Sequence, residues 1–420
     1  MTAKAKPRLG RRIFRAIAVL AAVGAIAMIL LFCALWIEHR RGLTLPNPTG
    51  QFAVGRVIYD WTDDGTVDTL APIPGTKREL LVWIWYPAQP QQSPLTSEYV
   101  PAALAAAVER DSGVLLGKFL TRDRSKVQAH SLQGAQLAPE QPSYPVLIMR
   151  AGASAEVWSY STLAEDLASH GYVVVGFDAP YRTHEVVFPD GRVITRMPNN
   201  DPERCVELSG EAQTDCTNRL ISAWTGDMSF VLDRLQHLNA SDPDGKFTGR
   251  LDLTRVGAFG HSFGGAAAFR FCHDDPRCKA GIDLDGALHG RAIQSGITRP
   301  FMFVLSDHSG EHDPDGARIL AEMRWVYDRL PSDSGAFIEI KGANHFFFSD
   351  DGALLKSHIV VGALRKLGIV RINGPRQLQV TAYCLRTFFD AYLRCISGAG
   401  APKAPPTLQS SLYPEVQVVN

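Results

Sequence analysis

Residues 256–265 read VGAFGHSFGG and are followed by the small-residue run Ala266-Ala267-Ala268-Phe269. They contain the pattern G-x-S-x-G between an apolar stretch typical of a buried strand and an alanine-rich stretch typical of a helix. Glycines on both sides of the serine allow a sharp turn, since glycine adopts backbone angles that other residues avoid. The sequence therefore predicts a nucleophile elbow that exposes Ser262 at the start of a helix.

Around this turn, short apolar runs alternate with mostly longer helical segments. The runs are Val146–Met149, Tyr172–Phe177, Leu253–Phe259, Ala280–Leu284, Pro300–Leu305 and Ala336–Ile340. Such a pattern is typical of an α/β fold with a mostly parallel sheet covered by helices on both faces. Two earlier runs, Phe52–Tyr59 and Leu80–Tyr86, are rich in β-branched and aromatic residues, and they predict antiparallel strands at an edge of the sheet.

A serine hydroxyl becomes a good nucleophile when a neighbouring base takes its proton and an acid orients that base. After such an elbow, the acid and then the histidine follow along the chain, on loops at the carboxyl ends of later strands. His345 fits the base because it follows the last predicted strand, and the aromatic residues 346–348 would shield it from water. Asp285 and Asp307 each follow a later strand, and spacing alone does not choose the acid between them.

Three segments together resemble the α/β-hydrolases of the platelet-activating factor acetylhydrolase type and their bacterial esterase relatives. They are residues 260–265 (GHSFGG), 281–285 (GIDLD) and 342–346 (GANHF). The similarity also covers residues 145–181, so it spans most of residues 140–395. The resemblance implies an α/β-hydrolase fold in which Ser262 is the nucleophile, Asp285 the acid and His345 the base.

The same resemblance implies an oxyanion hole made by the backbone N–H groups of Phe263 and Ala153. The family usually has His-Gly-x-Gly in the loop that contains the second donor, whereas residues 151–154 read AGAS and keep only the first glycine, Gly152. Ala153 is still expected to face the oxyanion, because the donor is a backbone group. The family implies carboxylic ester substrates, such as short-chain or oxidised phospholipids, and the mechanism requires no metal or organic cofactor.

The N-terminus has the pattern of a membrane signal-anchor. Residues 1–15 carry six Lys or Arg and no acidic residue, and 22 uncharged, mostly aliphatic residues follow from Ala16 to Ile37. A helix of this length spans about 33 Å, enough to cross the hydrocarbon core. The excess of positive charge before it predicts a cytoplasmic N-terminus and an exported body. A cleaved secretory signal, which would make the protein secreted, is disfavoured because no small-x-small site follows Ile37.

Cysteine usage agrees with export. Six cysteines follow the apolar segment, namely Cys205, Cys216, Cys272, Cys278, Cys384 and Cys395, and an even number in an exported chain fits disulfides. Cys272 and Cys278 bracket a short loop and could pair locally. Cys384 and Cys395 lie in one helical pattern, about 16 Å apart, and cannot pair with each other. Cys384 and Cys395 could instead pair with Cys205 and Cys216, and free buried thiols are the alternative. None of the six has the spacing of a zinc site.

The sequence divides into five segments. They are a basic cytoplasmic tail (1–15), the anchor (16–37), a linker (38–50), an α/β-hydrolase domain (51–397) with an insertion (97–140), and an extended tail (398–420). Within the insertion, Tyr99–Leu120 contains apolar clusters around a Gly break and is too long for a simple connection. It could cover the acyl pocket beside the membrane, or pack as two helices on the sheet edge.

Charge and composition exclude some functions and leave others. The chain of 420 residues has 43 Lys and Arg against 43 Asp and Glu, and removing the basic tail leaves a mildly acidic body. Such a body lacks the basic surface that nucleic-acid binding requires. A membrane-anchored serine esterase fits best. The alternatives are a secreted polyester or cutin-like hydrolase and an inactive α/β-hydrolase that serves as a binding module.

Overall fold

The computed structural model describes residues 7–92, 95–102, 104–106, 122–153, 155–290, 292–307, 314–355, 358–368, 370–394, 407–408 and 410–419. Its strands are β1 (Leu43–Thr44), β2 (Ala53–Val67), β3 (Lys77–Ala88), β4 (Thr96–Glu98), β5 (Val127–Gln133), β6 (Tyr144–Arg150), β7 (Val173–Asp178), β8 (Glu185–Val187), β9 (Val193–Thr195), β10 (Leu251–His261), β11 (Cys278–Leu284), β12 (Phe301–Leu305), β13 (Gly335–Ile340) and β14 (Val416–Val418). Twelve of these described strands form one sheet, and β8 pairs with β9 separately.

The sheet has the order β1-β5-β2-β3-β7-β6-β10-β11-β12-β13-β14, with β4 paired to β5. Its centre, from β7 to β13, is parallel throughout, and β3 and β14 run antiparallel to their neighbours in this block. The six apolar runs of the sequence all lie in this parallel block, so the α/β interpretation is confirmed.

Helices cover both faces of the sheet. The described helices are α1 (Pro7–His39), α2 (Ser161–Ser169), α3 (Pro202–Val206), α4 (Gly210–Ala240), α5 (Phe263–Asp274), α6 (Ala292–Ser295), α7 (Pro314–Tyr327), α8 (Asp351–Leu354), α9 (His358–Lys366) and α10 (Gly374–Phe389). Alternate residues of β6 enter different cores, because successive side chains of a strand point to opposite faces. Leu147 and Met149 pack with α2 and α10, whereas Val146 and Ile148 pack with α4 and α5.

The outer part of the sheet differs from the sequence-based prediction. β2 and β3 do pair antiparallel, but they lie inside the edge, because β5 adds next to β2 and β1 adds next to β5. The predicted linker (38–50) and insertion (97–140) thus contribute strands, and the tail (398–420) contributes β14. Residues 127–133 read VQAHSLQ, which is too polar to stand out as a strand until a neighbouring strand supplies the hydrogen bonds.

The N-terminal helix α1 is longer than the predicted segment 16–37, and its stretch Gly10–His39 is apolar and long enough to cross a membrane. The end of α1 is fixed to the domain. Glu38 forms an ion pair of 3.2 Å with Arg122, and the N–H of Asp123 donates to the carbonyl of His39 at 3.0 Å. A cavity of about 230 Å³, lined by Glu38, Arg122 and Phe347 among others, lies beside this junction.

Two disulfides lie in the described chain. Cys272 pairs with Cys278, as their spacing predicts, and Cys205 pairs with Cys216, joining α3 to the start of α4. Cys384 is a buried free thiol in α10, whereas Cys395 lies outside the described residues.

The hypothesis of a cover over the active site falls mostly outside the described residues. In the segment Tyr99–Leu120, the side chains of Tyr99, Val100 and Leu104 are buried in the core beside α2. Ala107, Val114, Leu115 and Phe119 lie in the part of the segment that the structure does not describe. The start of the segment therefore packs on the domain, and the choice between a cover and a helical pair remains a prediction.

Candidate active site

Ser262 occupies the sharp turn between β10 and α5. Its φ of 55° and ψ of −127° are unfavourable for a residue with a Cβ, which is the backbone strain expected at a nucleophile elbow. Glycines on both sides make the turn sterically feasible. A Cβ added at Gly260 would lie against the carbonyl of Gly264, and one added at Gly264 would lie against the carbonyl of Ala151. The turn thus has the conformation that the sequence predicts.

Asp285 and His345 form a hydrogen-bonded pair at the carboxyl ends of β11 and β13. The Nδ1 atom of His345 lies 2.7 Å from Oδ2 of Asp285. The Asp285 side chain is only 2% exposed, and Ser306 donates to both of its oxygens, from N–H at 2.9 Å and from Oγ at 2.6 Å. These hydrogen bonds stabilise the ionised carboxylate. Asp285 itself has a φ of 57°, so a second strained turn directs this side chain.

The other two aspartates near this edge have different environments. Asp307 accepts a hydrogen bond from the N–H of Gly342 at 2.8 Å and an ion pair from Arg371 at 3.3 Å, so it supports the loop that leads to His345. Asp283 is fully buried and accepts from the N–H of Gly286 at 2.9 Å, and burial raises the pKa of its carboxyl well above its usual value. The contact with His345 therefore separates Asp285 from Asp307, which spacing could not do.

The surroundings of His345 are more open than the aromatic sequence after it suggested. Phe347 and Phe348 are buried, but Phe346 is 68% exposed and the His345 side chain is 36% exposed. Phe346 packs edge-on against the His345 ring, with 5.4 Å between centroids, but it is itself exposed, so the three phenylalanines shield His345 only in part. A short 3₁₀ turn over His345–Phe348 places successive side chains on different sides, and only two of them face the core.

The loop after β6 lies directly beside Ser262. A Cβ built on Gly152 would be 3.5 Å from the Cβ of Ser262 and 3.2 Å from Nδ1 of His261, so only a small residue fits there. The N–H of Phe263 lies at the first position of α5, where a helix has free N–H groups. No acceptor within the described chain takes a hydrogen bond from the N–H of Phe263 or of Ala153.

Several residues at this site carry no sequence signal that we recognised. The Nη1 of Arg196, just after β9, donates to the carbonyl of Ala153 at 2.8 Å, and its guanidinium pairs with Asp201 at 2.9 Å. Tyr160 accepts from the N–H of Gly152 at 3.2 Å, and its Oη lies 2.8 Å from Nδ1 of His261. Neither residue belongs to a motif: Tyr160 reaches back to the loop from the turn that follows it, and Arg196 reaches it from beyond β9.

Within the described residues, no group of three or more His, Cys, Asp or Glu side chains could hold a metal ion. The pair His308 and His312, which its Gly-, Ser- and Asp-rich sequence marks as solvated loop residues and not as metal ligands, lies outside those residues.

Comparison with known proteins gives a consistent result. The family model for platelet-activating factor acetylhydrolase, isoform II, matches residues 38–382. A probable 1-alkyl-2-acetylglycerophosphocholine esterase of Arthroderma benhamiae is 26% identical over 396 residues, which is 89% of this chain and 92% of that protein. A platelet-activating factor acetylhydrolase of Cavia porcellus is 24% identical over 73% of this chain and 69% of its own length.

Esterases with other substrates in their names are also similar. A cutinase of Thermobifida fusca is 25% identical over 208 residues, which is 49% of this chain and 54% of that protein. The solved structure of a ferulic acid esterase from Streptomyces cinnamoneus superposes with a TM-score of 0.70, at 24% identity, and covers 90% of this chain and 100% of its own. This structural likeness supports the α/β fold.

Proposed function

Because the chain belongs to the family of platelet-activating factor acetylhydrolase, isoform II, and is a carboxylic ester hydrolase, we propose that Ser262, His345 and Asp285 are its catalytic triad. The observation that carries this proposal is the 2.7 Å contact between Asp285 and His345 at the same sheet edge as the strained Ser262. A hydrogen bond to Nδ1 fixes the imidazole so that Nε2 is the basic nitrogen.

The triad acts by acyl transfer. The Oγ of Ser262 attacks the ester carbonyl carbon, and Nε2 of His345 takes the hydroxyl proton. The resulting imidazolium is stabilised by the buried carboxylate of Asp285, which Ser306 holds in place. The tetrahedral intermediate then expels the alcohol, which receives the proton from His345. Water, deprotonated by the same histidine, attacks the acyl-enzyme and releases the carboxylic acid and free Ser262.

The oxyanion of this intermediate is proposed to bind the N–H groups of Phe263 and Ala153. Both amides lie beside Ser262 without an acceptor among the described residues, and preorganised donors of this kind are among the largest contributions to acyl-transfer rates. Arg196 holds the Ala153 carbonyl from outside the site. The loop therefore has side-chain support although it lacks the second glycine usual in the family.

For the substrate, we propose a phospholipid with a short or oxidised acyl group. The support is the length of the match to the relative named for 1-alkyl-2-acetylglycerophosphocholine, which covers nearly all of both chains. A polyester is the second candidate, because cutinases also align, although over about half of this chain. The partly exposed His345 and the exposed Phe346 are compatible with either type of ester.

Hydrolysis across a series of acyl chains tests this proposal. With 1-alkyl-2-acetylglycerophosphocholine we expect a kcat/KM roughly 100-fold above that of the 2-palmitoyl analogue, because a pocket that fits a short acyl group excludes a long one. p-Nitrophenyl esters from acetyl to palmitoyl should follow the same order. If the segment Tyr99–Leu120 covers the pocket, then Leu115→Ser with Phe119→Ser should weaken that preference.

The same assays identify the alternatives. A rate that rises with acyl length, together with erosion of a poly(ε-caprolactone) film, would favour the polyester hydrolase. A protein that hydrolyses none of these esters and does not react with a fluorophosphonate would be an inactive binding module.

We further propose that α1 anchors the enzyme, with residues 1–15 in the cytoplasm and the catalytic domain outside. The support is the apolar helix over Gly10–His39, the six positive charges of residues 1–15 before its uncharged part Ala16–Ile37, and the two disulfides, which form in oxidising compartments. A cleaved signal would export the same domain in secreted form.

Protease added to sealed cells or spheroplasts tests this orientation. We expect it to digest the catalytic domain and to leave an epitope placed before Pro7 intact, because only the domain is outside. Detergent should expose both. A catalytic domain that stays protected while the membrane is sealed would contradict the orientation, and an active protein in the medium that lacks residues 1–37 would show cleavage.

A further inference from the structure

A series of hydrogen-bonding groups connects the loop after β6 with the loop after β13 that contains His345, here called the histidine loop. Tyr160 is 1% exposed and His261 is 6% exposed, so water does not readily satisfy their polar atoms. The N–H of Gly152 lies 3.2 Å from Oη of Tyr160, which lies 2.8 Å from Nδ1 of His261. The ring of His261 is in turn 4.5 Å from the ring of His345, measured between centroids. The buried side chains of Tyr160 and His261 thus connect the loop after β6, the nucleophile elbow and the histidine loop.

The direction of these hydrogen bonds follows from the donors available. The Gly152 amide can only donate, so the Tyr160 oxygen accepts from it. The Tyr160 hydroxyl then has one proton, and Nδ1 of His261 is the acceptor within reach. We assign the hydroxyl as the donor to Nδ1, because a protonated Nδ1 would leave the Tyr160 proton without this acceptor; a neutral His261 then carries its proton on Nε2. Burial and the neighbouring His345 lower the pKa of His261 to about 3, which agrees with a neutral ring.

The neutral state of His261 matters for its neighbour. His345 becomes positively charged when it takes the serine proton, and a second positive ring at 4.5 Å would oppose that step. The Tyr160 contact at Nδ1 fixes the orientation of the His261 ring, and a hydrogen bond with the backbone of His345 acts on the same ring. The arrangement gives His345 a polar but uncharged neighbour.

Tyr160 is itself tied to the segment that follows His345. The N–H of Asp350 donates to the carbonyl of Ser159 at 2.6 Å, and Oδ1 of Asp350 accepts from the N–H of Thr162 at 3.2 Å. The chain before and after Tyr160 is therefore fixed to the segment after His345 by one backbone hydrogen bond and by the carboxylate of Asp350. A displacement of the histidine loop would move the Tyr160 hydroxyl and, through it, Gly152.

This inference rests on the triad proposed above. We propose that Tyr160 and His261 are positioning residues, which keep the oxyanion loop and the catalytic histidine in the correct relative position. The hydrogen bonds from Gly152 to Tyr160 and from Tyr160 to His261 fix the position of the peptide group just before Ala153. In this chain it provides support where the family usually has a second glycine in the loop. The two side chains do not touch the reacting atoms, and their effect is on the geometry of the groups that do.

Tyr160→Phe tests the proposal in the full-length enzyme with p-nitrophenyl acetate. We expect kcat to fall about 10–100-fold with KM within twofold, because a misplaced oxyanion donor weakens the transition state more than the ground state. Binding of a boronic acid, which forms a tetrahedral anion on the serine, should weaken by a similar factor. His261→Leu should act like Tyr160→Phe, and the double variant should lose little more than either single one. His261→Gln, whose amide oxygen can accept from Tyr160, should recover most of kcat.

Tyr86→Phe is the matched control. Its hydroxyl is also buried and donates to a backbone carbonyl, that of Ala135 at 2.8 Å, but the residue belongs to β3 and its hydroxyl accepts from Lys246 at 2.7 Å. We expect a similar change in Tm with unchanged kcat. In the spectrum of enzyme labelled with ¹⁵N-histidine at pH 7, His261→Gln should remove one protonated Nε2 and one unprotonated Nδ1 signal.

Three results would overturn the proposal: a Tyr160→Phe enzyme with normal kcat, a loss confined to KM, or a His261 signal protonated at Nδ1. Failure of the proposed triad would give a different result. An enzyme that stays active after Ser262→Ala would refute the triad, whatever the effect of Tyr160→Phe on kcat.

Discussion

Replacing Ser262 with alanine should lower kcat for p-nitrophenyl acetate by about 10⁴–10⁶-fold and abolish labelling by a fluorophosphonate. Removing Oγ eliminates the acyl-enzyme, and the oxyanion donors alone provide only the residual acceleration. The fold should remain intact, because the strand-to-helix turn depends on the backbone and on its flanking glycines. Circular dichroism and Tm establish this for each preparation.

Two further variants sharpen this test. Ser262→Gly should be as inactive as Ser262→Ala, but its Tm should not fall, since glycine tolerates the φ of 55° without strain. Ser229→Ala, in α4, removes a hydroxyl that donates a hydrogen bond to Asp275 at 3.4 Å, and this variant should keep full activity. Labelling of Ser262→Ala at another serine would show that the nucleophile lies elsewhere.

The second large effect is expected from Asp285→Asn, which should lower kcat by about 10⁴-fold. An amide cannot stabilise the imidazolium of His345, and its NH₂ group favours the wrong tautomer of the ring. Asp307→Asn is the comparison, because both aspartates follow neighbouring strands and both are buried. Asn at position 307 keeps an oxygen that can accept from the N–H of Gly342, so we expect less than a tenfold loss of kcat and a modest decrease in Tm.

Steady-state kinetics of the two variants under identical conditions decide the assignment. A larger loss for Asp307→Asn than for Asp285→Asn would mean that the acid is Asp307. Equal losses would indicate that both changes act by disturbing the loop that holds His345.

The parts of the protein that local sequence encodes could be predicted. The turn at Ser262 is one of them, because the glycines that permit it are its own neighbours, and the parallel strands are another, because each is a continuous apolar run. The choice between Asp285 and Asp307 could not be made from spacing. It depends on the strained backbone of Asp285 and on Ser306, which directly follows the next strand, β12.

Side-chain contacts to the loop after β6 escaped prediction for a physical reason. Arg196 reaches this loop from beyond β9 and Tyr160 reaches back to it from the turn that follows, and nothing in their own neighbourhood marks either residue. The strands β1, β5 and β14 are short or polar, so their strand character comes from pairing and not from composition. The exposure of Phe346 was missed because a run of three aromatic residues says little about which of them face the core.

The junction at the end of α1 has a mechanical consequence for the anchored form of the enzyme. The ion pair of Glu38 with Arg122 begins the contact, and strand pairing starts at Leu43, four residues after the helix ends at His39. In the anchored form proposed above, a connection of that length would restrict swinging, and we expect helix and catalytic domain to tilt and rotate in the bilayer together. We then expect Ser262 to stay at a nearly constant height above the lipid, to which lateral diffusion brings each ester.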